Sequence, residues 1–205
     1  MKPGKSKKVV LFAGQDLSQW ESLEGGKAPW DLEDGVMSVA VGSGDILTRE
    51  TFADAWIHVE FKLPLELKAK GNSGVYIHNR YEIQILDSYG VEKLRTGSCG
   101  AVYKTHTPIV NACKAPGEWQ KYDIIFRAPR FNNNDEVIEK ARVTVLLNDQ
   151  IVQNNVVIVP TGTRSDKPII ASGPLLLQDH GDPVQFRNIW IQHLPQDGSD
   201  SYGPG

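Results

Sequence analysis

The sequence predicts an all-β sandwich or barrel folded as a single domain. Short runs rich in Val, Ile, Phe, Tyr and Trp recur along the chain, separated by clusters of Gly, Pro, Asn and Asp. No internal repeat and no Pro/Gly/Ser-rich interior linker divides the 205 residues. That length buries a core without disulfide or metal staples.

In order, the strand-like runs are residues 35–41, 56–63, 75–86, 119–127, 141–147, 151–159, 175–178 and 184–194. Asn132-Asn133-Asn134-Asp135-Glu136 reads as a polar hairpin loop after the fourth run. Asn148-Asp149 reads as a tight turn joining the fifth and sixth. The helix candidates are short: a turn at residues 16–20 and a segment after Ser88. Residues 1–8 and 195–205 are expected to be disordered ends around a domain spanning 9–194.

Composition excludes several functions. Apolar residues make up 40% of the chain and charged residues 23%, which argues against disorder. A net charge of −3 with no basic stripe argues against a nucleic-acid partner. No apolar run approaches the roughly 18–20 residues of a membrane span. Residues 1–8 are basic and polar, and Val9-Val10-Leu11-Phe12 is too short for the apolar core of a secretory signal. Cys99 and Cys113 lack the spacing of a zinc site or a C-x-x-C redox pair. A disulfide closing a small loop and two free thiols both remain open.

The most informative segment is Gly71-Asn72-Ser73-Gly74 followed by residues 75–87. On a strand, side chains alternate faces. Val75, Ile77, Asn79, Tyr81, Ile83 and Ile85 form a mostly apolar face directed at the core. Tyr76, His78, Arg80, Glu82 and Gln84 form the other. A half-buried strand always has a solvated face, but this one can stack on a sugar ring, hydrogen-bond hydroxyls and move protons. A β-bulge at Ile85-Leu86 would bring Asp87 to the side of Glu82. The run then resembles the bulged E-x-D-x-x-E strand of retaining jelly-roll endo-β-glucanases, whose two carboxylates sit about 5–5.5 Å apart. Gln84 replaces the middle Asp of that pattern, and Asp87 is one carbon shorter than its last Glu. Both departures weaken two-carboxylate chemistry.

A second resemblance fits more of the chain. Leu11-Phe12-Ala13-Gly14-Gln15-Asp16-Leu17-Ser18-Gln19-Trp20, Gly71-Asn72-Ser73-Gly74-Val75-Tyr76 and Tyr81-Glu82-Ile83-Gln84-Ile85-Leu86-Asp87 are similar to the 3-keto-disaccharide hydrolase domain family. So are Gly117-Glu118-Trp119, the run Gly173-Pro174-Leu175-Leu176-Leu177-Gln178-Asp179-His180-Gly181, and the closing Val184-Gln185-Phe186-Arg187-Asn188-Ile189-Trp190-Ile191. The resemblance implies a concanavalin A-like jelly-roll β-sandwich of two antiparallel sheets. It also implies an oligosaccharide or glycoside substrate cleaved on a face lined by residues 76–87. An exported bacterial protein, periplasmic or extracellular, is expected on the same ground.

A ketone at sugar C3 acidifies the C2 proton. One base can then generate an enolate that expels the C1 substituent, and water adds to the enone. Glu82 or Asp87 is expected to be the base. Arg80, Arg187 or a bound cation would hold the enolate oxygen, and His78 or His180 would pass protons. Tyr76, His78, Arg80, Gln84, Tyr103, Gln178, Asp179, His180 and Arg187 are the expected substrate contacts. A non-catalytic lectin-like domain is the alternative, and a retaining endo-β-glucanase a weaker one.

Arg187 lies among apolar positions on its strand, so a carboxylate partner is expected, with Glu82 or Asp87 or a purely structural ion pair as candidates. The loop from Gly97 to His106 is positioned to close over a cleft, or is a plain surface loop. Trp20, Trp30, Trp56, Trp119 and Trp190 read mainly as core. No cofactor is indicated; a structural Ca2+ at Asn132-Asn133-Asn134-Asp135-Glu136 is a candidate, although that loop lacks recognised calcium-ligand spacing.

Overall fold

The structure, a computed structural model, describes residues 8–196. Fifteen strands appear in chain order: β1 Lys8–Phe12, β2 Trp20–Ser22, β3 Asp31–Glu33, β4 Val36–Ser38, β5 Ile46–Phe52, β6 Ala55–Lys62, β7 Ser73–Ile77 and β8 Tyr81–Ile85. They continue as β9 Trp119–Arg127, β10 Arg130–Phe131, β11 Val137–Glu139, β12 Arg142–Leu147, β13 Gln150–Val157, β14 Gly173–Leu177 and β15 Gln185–His193. The only helical turn among the described residues is a 3₁₀ turn at Gly162–Arg164, so residues 16–20 and the segment after Ser88 form turns, not helices. No helix among them is long and apolar enough to cross a membrane. Lys8 already pairs with Gln192; residues 1–7 and 197–205 of the expected disordered ends lie outside the described residues.

Two antiparallel sheets make the sandwich. The larger runs β13-β12-β9-β6-β15-β4-β3, with β1 also on β15; the smaller runs β2-β5-β14-β7-β8. Alternation builds the core: Ile57, Val59 and Phe61 of β6 and Tyr122, Ile124 and Phe126 of β9 turn inward, opposite Val75, Ile77, Ile83 and Ile85. Phe52 of the smaller sheet meets Phe126 of the larger edge to face, 6.4 Å between ring centroids.

Local chemistry explains the turns. Asn148 and Asp149 both take left-handed φ (50° and 67°) between β12 and β13, which Asn and Asp tolerate best among residues with a Cβ. In the β10–β11 hairpin, Asn132 accepts the amides of Asn134 and Glu136 on Oδ1 and donates from Nδ2 to Glu136. Asn132 Oδ1 and Glu136 Oε2 are thereby engaged within the loop itself.

Three expectations are corrected. Residues 75–86 are not one strand: β7 and β8 form a hairpin turning at His78-Asn79, both at left-handed φ (55° and 53°). Their pairing runs without a register shift to Ile85, so no bulge redirects Asp87. Strict alternation also fails along β15, where the pairing with β6 shifts between Arg187 and Trp190 and Asn188 takes φ 46°. Arg187 therefore sits on the outer face of the larger sheet, paired with Glu60 at 2.6 Å and 4.0 Å over the Trp119 ring. Trp56, Trp119 and Trp190 lie on that outer face too; Trp20 and Trp30 are core.

Candidate functional site

The β7–β8 hairpin sets the site. Tyr76 lies opposite Glu82, and Gly74 opposite Gln84. Opposed residues share a face, so Tyr76, Glu82 and Gln84 all point outward from the smaller sheet. Gln178, just past β14, joins them, its amide bonded to Gly74 O. Gly74 is required here: a Cβ would meet Glu82 Oε1 at 2.9 Å and the Tyr76 ring at 3.0 Å.

Two segments roof this face. Residues 100–103 run along the open edge of β8: Gly100 N–H donates to Gln84 O, Gln84 N–H to Ala101 O and Tyr103 N–H to Glu82 O. That edge pairing brings Tyr103 and Lys104 over Glu82. The second segment enters at Thr161, whose N–H donates to Arg80 O, and Gly162 follows at φ 58°. Together they enclose a cavity of about 190 Å³, lined by Asn72, Tyr76, Glu82, Gln84, Tyr103, Lys104, Gly162, Gln178 and His180.

Glu82 is 2% exposed. Burial pushes its carboxyl up to about 7, opposed by the Tyr76 hydrogen bond and by the charges of Lys104 and Arg164. Tyr76 donates from its hydroxyl to Glu82 Oε2 at 2.7 Å and accepts from Gln178 Nε2 at 3.3 Å. Burial, then the Glu82 charge, hold the Tyr76 phenol far above its usual range, so it stays a donor. Behind it, Arg164 lies 5.8 Å from the Tyr76 ring and pairs with Asp45 at 3.0 Å.

A second chain of hydrogen bonds has a fixed polarity. Gln84 Nε2 donates to the carbonyls of Ser73 and Ile85 and to Asn72 Oδ1. Carbonyls only accept, which fixes the Gln84 amide, and Asn72 must then present Nδ2 to His180 Nδ1 at 3.0 Å. His180 accepts on Nδ1, so its neutral ring carries the proton on Nε2. Gln84 Oε1 is left as the polar atom a ligand can use.

Of the expected site residues, Tyr76, Glu82, Gln84, Tyr103, Gln178 and His180 come together; the other five do not. His78 is fully buried in the core, its ring 4.7 Å from Phe126 and 5.2 Å from Phe52; burial lowers its pKa to about 4. Arg80 turns away, donating to Pro168 O and His78 O. Asp87 caps the Tyr89 amide at 3.1 Å and lines a neighbouring depression. Asp179 accepts the amides of Gly42 and Gly44 at 2.7 and 3.0 Å. Arg187 is on the opposite sheet. Glu82 is the one carboxylate lining the cavity among the described residues, so a two-carboxylate endoglucanase arrangement is not formed. Cys99 and Cys113 are buried free thiols.

Sequence reasoning missed Asn72, Lys104, Gly162 and Arg164. Asn72 lay inside the Gly-Asn-Ser-Gly motif; the others reach the site through loops that carry no periodic signal.

The model of the 3-keto-alpha-glucoside-1,2-lyase-like domain family matches residues 7–192. No curated protein matches the chain. A candidate glycosyl hydrolase from Parabacteroides distasonis is 40% identical, with a TM-score of 0.84 over 91% of this chain and 84% of that one. Another from the same organism is 25% identical, with a TM-score of 0.64 over 92% and 100%. A β-glucanase of Bacillus licheniformis, 12% identical, shares the jelly-roll fold at a TM-score of 0.51 over 95% and 100%. The architecture is that of jelly-roll glycosyl hydrolases.

Proposed function

We propose that this chain, which belongs to the 3-keto-alpha-glucoside-1,2-lyase-like domain family, cleaves a 3-keto-glycoside by elimination across C1 and C2, with Glu82 as the base. The observation that carries this is a single buried carboxylate, poised near neutrality by burial, in a cavity with no second carboxylate among the described residues. Displacement at a glycosidic carbon normally needs two carboxylates. Elimination beside a ketone needs one base, and a base is most effective with a pKa near the working pH.

The residues divide the work. Glu82 takes the C2 proton, and the electrons of that bond move toward the C3 oxygen. Lys104, the one Lys or Arg lining the cavity among the described residues, supplies the cation for that developing oxyanion. The enolate re-forms the ketone as the C1–O bond breaks, and His180 Nε2–H protonates the departing oxygen. Tyr76 orients Glu82, and Gln84 Oε1 and Gln178 hold ring hydroxyls. The cavity of about 190 Å³ holds several waters' worth of space for a sugar ring to displace.

The test is product release from matched native and 3-keto-oxidised glycosides by wild type and Glu82→Gln. Cleavage of the oxidised substrate alone, reduced by about 10³-fold or more in the variant, is expected. Cleavage undiminished in Glu82→Gln would remove Glu82 as the base. Sugar binding without any turnover would favour the lectin-like alternative.

A further inference from the structure

Beside the Glu82 cavity lies a wider depression of about 640 Å³. Tyr103 and Lys104 line both, so the two compartments share a wall. Lys70, Lys93 and Arg95 add three more cations, against the single carboxylate of Asp87. None of the four cations enters an ion pair among the described residues. A chain of net charge −3 thus gathers unpaired positive charge at one wall of its candidate site.

The backbone points to the same place. Ten non-glycine residues among those described have left-handed φ. Eight are Asn, Asp or His, the residues that tolerate this region best. The two exceptions are Lys70 (φ 59°) and Lys104 (φ 62°), and both line this depression. Each is pinned: Asp87 N–H donates to Lys70 O at 2.7 Å, and Lys104 N–H to Thr96 O at 2.8 Å. A lysine has no short side chain to bond its own backbone and offset the strain. Its presence at both positions is explained if the ammonium groups themselves are needed.

We infer that this depression receives the leaving-group half of the substrate, and that this half carries an anion: a carboxylate, or a sulfate or phosphate ester. The inference rests on cleavage at Glu82, because it is the C1 substituent that must extend from the smaller cavity into the wider one. Lys93 and Arg95 lie outside the Glu82 cavity and contact only that half. Lys104 faces both compartments.

The experiment compares kcat/KM for three 3-keto-glucosides that differ only in the leaving sugar: a neutral hexose, a hexuronate and a hexose 6-sulfate. Wild type should prefer at least one charged substrate by about tenfold or more, the scale of one or two charge-assisted hydrogen bonds. The preference should fall in about 0.5 M salt. Lys93→Ala with Arg95→Ala should remove that preference, lowering kcat/KM for the charged substrate by about tenfold or more beyond any change for the neutral one. The arm that gains identifies carboxylate or sulfate. Equal kcat/KM for all three overturns the inference while leaving the elimination intact. If wild type cleaves none, the elimination fails and binding decides: calorimetry with the unoxidised uronate-containing and neutral disaccharides should show salt-sensitive, tighter binding of the charged one, lost in the double variant. Equal binding overturns the inference in that case.

Discussion

Tyr76 and Glu82 face each other across the β7–β8 pair, joined by a 2.7 Å hydrogen bond from phenol to carboxylate. The bond opposes the burial that raises the Glu82 pKa, and so sets where Glu82 becomes a base. Tyr76→Phe removes the donor and keeps the ring. The Glu82 pKa should then rise from about 7 by roughly one further unit, the scale of a hydrogen bond to a charged acceptor. The acidic limb of the kcat/KM profile should move up by the same amount. An unmoved limb would mean that the bond does not control the base.

Gly162 offers a test of the cavity's shape. A Cβ there would come within 3.2 Å of Glu82 Oε2 and 3.3 Å of the Tyr103 ring, at a φ of 58° that disfavours any side chain. Gly162→Ala should therefore raise KM and lower kcat together, by about tenfold or more, because ring and carboxylate cannot both keep their places. Unchanged kinetics would place the sugar elsewhere.

Gly74 lies on the other side of the same carboxylate. Gly74→Ala drives a methyl into Glu82 Oε1 at 2.9 Å and the Tyr76 ring at 3.0 Å. Displacing a base by about 1 Å can reduce turnover on the order of 10²-fold. Binding of an unoxidised sugar should weaken less, since Asn72, Gln178 and His180 are untouched. Equal loss of binding and turnover would show that the methyl collapses the whole cavity.

How much of this was legible in the sequence depends on whether the signal was local. Residues 119–127 were read to the residue as β9 because Tyr122, Ile124 and Phe126 recur at every second position in a run rich in aromatic and β-branched side chains. Strand β5 went unread: its Thr-Arg-Glu-Thr centre hides a strand buried only at alternate positions. The hairpin was missed because His78-Asn79 is an unusual pair for a tight turn, lacking the Gly that signals one. Tyr76 and Glu82 were still placed on one face, by coincidence of parity. A hairpin pairing 76 with 82 and 74 with 84 keeps even-numbered residues together, as an unbroken strand would. The same parity wrongly carried His78 and Arg80 along. Arg187 was misplaced by the β15 register shift, which two-residue periodicity cannot anticipate. The loop carrying Lys104 was read as either a cover for the cleft or a plain surface loop, a choice periodicity could not make; Gly162 depends on a loop folding over β8, which only the tertiary structure shows.

Glu82 and His78 should act oppositely on stability over one pH window. Glu82 titrates near 4.5 unfolded and about 7 folded. Its contribution is fully present below 4.5 and is lost as pH rises through 7. His78 titrates near 6.5 unfolded and about 4 folded, so its contribution is present above 6.5 and is lost as pH falls through 4. Between about 4.5 and 6.5 the folded state holds one extra proton at Glu82 and lacks one at His78, and the two slopes nearly cancel. Each is worth at most roughly 3 kcal/mol across its range. Removing one group should expose the other. Relative to wild type, Glu82→Gln should gain stability as pH rises through this window. His78→Asn, which keeps a residue suited to left-handed φ, should lose stability over the same rise, whatever its offset at fixed pH. Denaturant midpoints at half-unit pH steps measure both. Parallel curves for wild type and either variant would mean that the corresponding group does not titrate as its burial requires.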